Sequence, residues 1–358
     1  MNLSNHLTEL LEIDCPIVQA PMGGESTPAM AIAVSNAGGL GGLGCSYMSI
    51  HEIKQKVSEI RSGTNRSFNL NFFAHPEPIQ NIDTNVEIRA RLEPFYDELG
   101  IADVPTYGEA PCDTFTEEKL NLLLELRPKV ISFHFGLPSQ NMAQALQEAG
   151  VIIMCSATTV EEAVWLDESG VDVIIAQGWE AGGHRGTFDI SYEDFGVGTL
   201  ALVPQIVDAV SKPVIASGGI ADGRGIAATI ILGAMGVQLG TAFLSCPEAN
   251  ITDNWREALR NARDHDTRLT PAFSGRPARA KNNRYIEAMA QARSSFPDYP
   301  TMYGFSGPLE QACSEGRANG FEFFLYGQAA SLNRELPAAD LVNLLIEETR
   351  NILKSRFE

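Results

Sequence analysis

The chain has 358 residues and a formal net charge of −19, from 26 basic and 45 acidic side chains. A surface this acidic repels nucleic-acid phosphates and anionic lipid headgroups, which excludes nucleic acid and membrane as expected partners. With 44% apolar and 20% charged residues it reads as a globular protein with a sizeable core.

The cysteines at 15, 45, 112, 155, 246 and 313 show neither a disulfide framework nor metal-ligand spacing, so no metal is expected and a reducing compartment suits them. The N-terminal residues lack a basic stretch followed by an apolar run. No stretch of ~18 uninterrupted apolar residues exists, so the expected location is the cytoplasm. A homo-oligomer is compatible with the sequence but not specified by it.

In chain order, short β-branched apolar runs predict eight strands, at 16–22, 40–44, 68–73, 130–135, 151–157, 171–177, 213–219 and 236–243. Between most of them lie segments with apolar spacing of three and four, such as 50–60, 142–149, 160–168 and 225–232. Strands that are continuously apolar are buried on both faces, as in a parallel sheet covered by helices. Eight βα units predict a (β/α)8 TIM barrel, built from 1–78 and 128–250, in preference to a doubly wound open sheet. Residues 79–127 and 251–358 fall outside the repeat, with helical spacing at 253–263, 284–293, 309–317 and 338–354. Connections this long are expected to carry structure. Both are predicted to be helical and to form together a substrate or cap domain over one barrel mouth. The Pro- and Arg-rich interval 269–281 is predicted to be a surface loop.

Active sites of such barrels lie where strands end. After the seventh strand come Ser217, Gly218 and Gly219, and the eighth ends in Gln238, Leu239, Gly240 and Thr241. Glycines there let backbone N–H groups converge on an anion, and the helix after the seventh strand would offer its positive end. Gly218, Gly219, Gly240 and Thr241 are therefore expected to hold a phosphate; the plainer alternative is a tight turn beside a crowded strand. Asn71 and Gln177 are amides within apolar strands, satisfied either by the barrel interior or by the edge of a flat heterocycle such as a flavin. His184 sits among Gly182, Gly183 and Gly186, beside Arg185, in the loop after the sixth strand. An imidazole there suits proton transfer near neutral pH; otherwise it is a surface-loop histidine. His75 and His134 end strands at the same face and either serve the site or cap the strand, whereas His6, His51 and His265 read as solvated.

Taken in order, the motifs PIVQAPMGG (16–24), AGGLGGLG (37–44), NLNF (69–72), SFHFG (132–136), QGWEAGGHRG (177–186) and 202–243 resemble those of the nitronate monooxygenases. Cys45-Ser46 and Met22-Gly23-Gly24 depart slightly from that family's pattern. The resemblance covers roughly 13–250. It implies an FMN-dependent barrel that converts alkyl nitronates, propionate 3-nitronate being the natural case, with dioxygen to a carbonyl compound and nitrite or nitrate. By the same resemblance Met22, Gly23, Asn71, Gln177, Gly182, Gly183, Ser217, Gly218, Gly219, Gln238, Leu239, Gly240, Thr241 and Gln328 would contact FMN. His184 would be the catalytic histidine, protonated beside the nitronate anion or taking the α-proton of a neutral nitroalkane, with Arg185 as a further local donor. Tyr107, His134, Tyr299 and Tyr303 would line the substrate pocket. Flavin-dependent enoyl-thioester reductases are the nearest alternative, although they typically carry Glu-Gly in place of Gln177-Gly178. A non-catalytic flavin- or phosphate-binding barrel is the other.

Overall fold

The computed structural model describes residues 3–106, 108, 114–188, 196–290 and 296–357. All eight expected strands form: β1 (Ile17–Gln19), β2 (Gly41–Gly44), β3 (Phe68–Phe73), β4 (Val130–His134), β5 (Ile152–Ala157), β6 (Val173–Gln177) and, after the two-residue strand β7 (Gly183–His184), β8 (Val214–Ser217) and β9 (Gly236–Leu239). They pair in parallel in the order β1-β9-β8-β6-β5-β4-β3-β2. A bridge from Val18 to Leu40 brings the two edges together, so the barrel is nearly closed. Apolar side chains at almost every strand position are buried, as burial on both faces requires.

The wall helices are α2 (Pro28–Asn36), α3 (Ile50–Gly63), α5 (Glu117–Leu126), α6 (Gln140–Glu148), α7 (Val160–Glu168), α8 (Thr199–Ala209) and α9 (Gly223–Ile231), while α1 (His6–Leu11) precedes the first strand and α4 (Ile82–Leu99) leaves the wall. Local chemistry sets where they start: Ser49 accepts from Glu52 N while the Glu52 carboxylate accepts from Ser49 N at 2.8 Å, a reciprocal cap that opens α3. Helix α1 closes the barrel floor. Its Leu7 and Leu11 are fully buried and cluster with Val18, Leu40, Val130, Met154, Val173 and Ile215 from the strands. Leu11→Ala is expected to cost about 3 kcal/mol, read as a lower denaturation midpoint with an unchanged m-value.

Beyond the barrel come α10 (Thr241–Leu244), α11 (Asp253–Arg260), the antiparallel hairpin β10 (Thr267–Thr270) and β11 (Ala278–Lys281), α12 (Arg284–Met289), α13 (Met302–Ser314) and α14 (Ala338–Phe357). Three expectations need correction here. The interval 269–281 is no surface loop: it holds β11, which pairs with β7, and Arg276 and Arg279 within it are buried. Helix α5 belongs to the barrel wall and not to an insertion, because Leu120, Leu122 and Leu123 enter the main core. Helix α14 likewise packs on α9 and α2, so 251–358 does not lie wholly over one mouth. What remains forms a separate apolar cluster, in which Ile88, Leu92 and Tyr96 of α4 meet Phe273, Tyr285, Met302, Phe305, Leu309 and Phe321. Among the described residues no helix is long and apolar enough to cross a membrane.

Candidate active site

Strand register sets the chemistry of the upper mouth. Asn71 of β3 pairs with Ser132 of β4, and Gln177 of β6 with Ser217 of β8, which in turn pairs with Gln238 of β9. This polar belt opens into a cavity of about 530 Å3. Met22, Gly23, Asn71, Gln177, Gly182, Gly183, His184, Ser217, Gly218, Gly219, Gln238, Gly240, Thr241, His134 and Tyr303 all line it, as the sequence places them. Leu239 does not: its side chain points into the apolar core. Gln328 is also absent from the lining, and its backbone N–H donates to the Glu180 carbonyl at 3.0 Å. Tyr299 is buried behind the lining, its hydroxyl 3.1 Å from that of Tyr47. Tyr107 lies outside the described residues.

The two amides singled out in the sequence behave differently. Gln177 is spent within the protein, its Nε2 donating to the His184 carbonyl at 3.0 Å and its Oε1 accepting from Gly186 N at 2.8 Å. It pins the histidine loop. Asn71 donates both hydrogens of Nδ2 to Ser132, at 2.9 and 3.1 Å, and its Oδ1 has no partner among the described residues. Gln238 has a buried Oε1 with no partner at all in the described structure. A buried acceptor left unmet costs about 1–3 kcal/mol, so the Gln238 amide fits a ligand edge that brings an N–H donor.

At the other end of the cavity, Gly218 and Gly219 adopt φ of 103° and 71°, a turn open to glycine and strained for other residues. The helix after this turn does not offer its positive end, contrary to the sequence reading. Asp222 caps α9 by accepting from Arg224 N and Gly225 N, at 2.9 and 3.2 Å, and Glu348 takes Gly223 N at 3.0 Å. The uncapped backbone start is instead Gly240–Thr241, which no side chain closes.

His184 lies on β7, held by β11 across Ala278 and ringed by Phe135, Tyr299, Tyr303 and Phe323 at centroid distances of 5.5–6.5 Å. Its carbonyl accepts from His134 Nε2 at 3.1 Å, which leaves His134 Nδ1 to accept the Ser156 hydroxyl at 3.0 Å. His134 is thus a strut for the loop as well as part of the lining. His184 Nε2 lies 2.9 Å from Ser274 Oγ, and that oxygen lies 3.0 Å from the Arg276 carbonyl. A carbonyl can only accept, so the single Ser274 proton goes to it, and Ser274 must accept from His184 Nε2–H. Nδ1 is then the lone-pair nitrogen, with no partner among the described residues. Burial, with the nearby charges of His134 and Arg276 adding to it, depresses the imidazole to about 3. The ring is neutral at physiological pH, which removes the expected imidazolium role. Arg185 is not part of the cavity lining: it is buried, with Nη1 on the carbonyls of Gln177 and Gly178 at 3.1 and 2.6 Å. Ser274→Ala would free His184 to flip tautomer; turnover is expected to fall about tenfold, with stability lowered by about 1 kcal/mol, checked by steady-state kinetics beside thermal melts.

Sequence reasoning missed Glu25, Tyr47, Trp255, Phe323 and Glu310, which also line the cavity, and Ser274 behind it. Tyr303, Gly307 and Glu310 stand at i, i+4 and i+7 on α13, a stripe that was readable as one face of a helix.

Comparison with known proteins gives one consistent result. The family model for nitronate monooxygenase matches residues 4–348. The chain is 42% identical to a nitronate monooxygenase of Pseudomonas aeruginosa over 351 residues, covering 97% of this chain and 100% of that one. A nitroalkane oxidase structure from Streptomyces ansochromogenes is similar at 37% identity and a TM-score of 0.88, covering 98% and 99% of the two chains. FabK from Thermotoga maritima is similar at 27% identity and a TM-score of 0.76, with 98% of each chain covered. With a family match across nearly the whole chain, the protein is an oxidoreductase that belongs to the nitronate monooxygenase family.

Proposed function

We propose that the cavity binds FMN and oxidises alkyl nitronates with dioxygen, releasing a carbonyl compound and nitrite or nitrate. The observation that carries this reading is the pairing of an unmet acceptor with a neutral histidine: Gln238, whose buried Oε1 has no partner in the described structure, lines the same cavity as Asn71 and His184. A flavin ring presents N–H and C=O groups along one edge, which fits those amides. The backbone of Gly218, Gly219, Gly240 and Thr241 would take its phosphate. When bound, FMN supplies the electron transfer, and the protein supplies placement and charge.

The remaining steps belong to the chain's own groups. A nitronate needs no base, because its α-proton is already gone; neutral His184 and the tyrosine hydroxyls then orient it within the aromatic ring. A neutral nitroalkane does need one, and Nδ1 of His184 is placed to accept that proton. We read α4, the β10–β11 hairpin, α12 and α13 as the substrate cap, since α13 contributes Tyr303 and Glu310 to the lining. The aromatic walls exclude water from the reacting end, which strengthens each polar contact made there. The test is nitrite or nitrate release from a nitronate in air by the FMN-loaded protein. Rapid flavin bleaching by NAD(P)H, with no product from the nitronate, would favour the enoyl-thioester reductase alternative instead.

A further inference from the structure

The glycine turn after β8 is held from outside the cavity. Gly218 and Gly219 carry no Cβ, so little hinders rotation of the peptide that joins them, and one orientation needs an anchor. Thr199, the first residue of α8, supplies it. Its hydroxyl lies 2.8 Å from the Gly218 carbonyl and 2.9 Å from Glu180 Oε2, one proton shared between two acceptors. Thr199 is buried and does not line the cavity, so the Gly218 carbonyl is turned into the wall. This peptide is trans, and a trans peptide directs its N–H opposite to its C=O. The Gly219 N–H therefore points away from Thr199, towards the cavity that both glycines line, and no described residue accepts from it. Thr199 is itself fixed: its backbone N–H donates to the Glu180 carboxylate at 2.9 and 3.1 Å. A Cβ on Gly178 would collide with the Thr199 hydroxyl, so glycine there admits it. Gly178 N in turn donates to the Ser217 carbonyl at 2.8 Å. The hydroxyl thus stands where the histidine loop, α8 and the glycine turn meet.

We propose that Thr199 is the positioning residue of the phosphate cradle: by holding the Gly218 carbonyl in the wall it aims the Gly219 N–H at the phosphate of the flavin nucleotide, and so sets the preference for the phosphorylated cofactor over riboflavin. This rests on the reading of the cavity as an FMN site with Gly218 and Gly219 at its phosphate. Thr199 makes no phosphate contact of its own; its effect passes through the backbone. The described lining holds neither lysine nor arginine, so the anion is met by oriented N–H groups and hydroxyls, and each one counts. Without the hydroxyl the Gly218 carbonyl loses its partner and the peptide is free to turn over. A carbonyl oxygen then faces the phosphate in place of an N–H, and attraction becomes repulsion.

The test titrates flavin-free protein with FMN and, separately, with riboflavin, read by quenching of flavin fluorescence. The unmutated protein is expected to prefer FMN. In Thr199→Val, which keeps the shape and removes the hydroxyl, FMN affinity is expected to fall at least about tenfold while riboflavin affinity stays, and Thr199→Ser is expected to restore the preference. A merely structural role would weaken both flavins together. That result, or an unchanged preference in Thr199→Val, would overturn the proposal. A second reading needs no variant to fold: the Gly219 amide proton resonance of the unmutated protein is expected to move further downfield with FMN than with riboflavin. An equal response to the two would overturn the proposal as well. If the unmutated protein binds FMN no better than riboflavin, the phosphate reading itself fails and takes the proposal with it.

Discussion

Replacing His184 with Asn is expected to leave FMN bound while kcat/KM for a neutral nitroalkane falls by ~10²-fold or more. The imidazole holds no cofactor contact in this account; it offers Nδ1 to the substrate, and asparagine has no comparable base. For a preformed nitronate the loss should be smaller, because only orientation is removed. The pH dependence separates this role from that of a charged histidine. With its pKa depressed to about 3, His184 is already neutral at pH 5, so protonation of this ring should not cut activity between pH 5 and 8. A histidine at its ordinary ~6.5 would instead lose its base function as the pH falls through that value. Stopped-flow or steady-state rates across that range, with flavin content measured on the same samples, check both points.

Gly182→Ala is expected to be a strongly damaging change near the site. A Cβ at that position would lie 2.5 Å from Gly327 N and from the Tyr326 carbonyl carbon, both backbone atoms that cannot swing aside. The segment 326–327 is tied down from two sides, with Gly327 N donating to Thr241 Oγ1 at 2.9 Å and Gln328 N donating to the Glu180 carbonyl. Relief of the clash must therefore push the histidine loop away from the Gly240–Thr241 corner. A loss of about 3 kcal/mol is expected, with flavin retention falling alongside it. Thermal melts and the flavin-to-protein absorbance ratio read the two effects. A stable, fully loaded Gly182→Ala protein would show that this close approach does not shape the cavity.

The barrel was legible because its strands are buried on both faces and so read as unbroken apolar runs, each closed by small or polar residues at the active end. The place of His184 in the cavity was legible for a related reason, an imidazole among glycines being unusual company for a surface loop. Less could be seen where the meaning of a residue depends on distant chain. Ser274 fixes the tautomer of His184 from 90 positions away, and nothing near it in the sequence marks that contact. The hairpin holding it looked like a loop because its prolines and arginines mask short strands; Arg279 is in fact buried, donating to the Trp179 carbonyl at 2.8 and 3.1 Å. The floor helix carried a signal that went unused, the spacing of Leu7, Leu10 and Leu11. For Gln177 the sequence left two alternatives, and the structure gives its amide partners within the protein, in the neighbouring loop. The unmet acceptor lies two strands further round, on Gln238.

The carboxylates of the cavity show the same limit. Glu25 follows a glycine-rich turn and Glu310 lies on a helix more than 280 residues later, so only the folded chain brings them to one cavity. Without that juxtaposition each reads as one more charge on a very acidic surface.

The central claim is that this cavity holds a flavin whose electron donor is a nitronate. It is tested most directly by the visible absorption spectrum of the purified protein, loaded with FMN and mixed without oxygen first with propyl nitronate and then, in a separate sample, with NADPH. The account predicts a flavin spectrum that changes promptly with the nitronate and stays unchanged with NADPH. A colourless protein that refuses added FMN, or a flavin that responds only to NADPH, would contradict it.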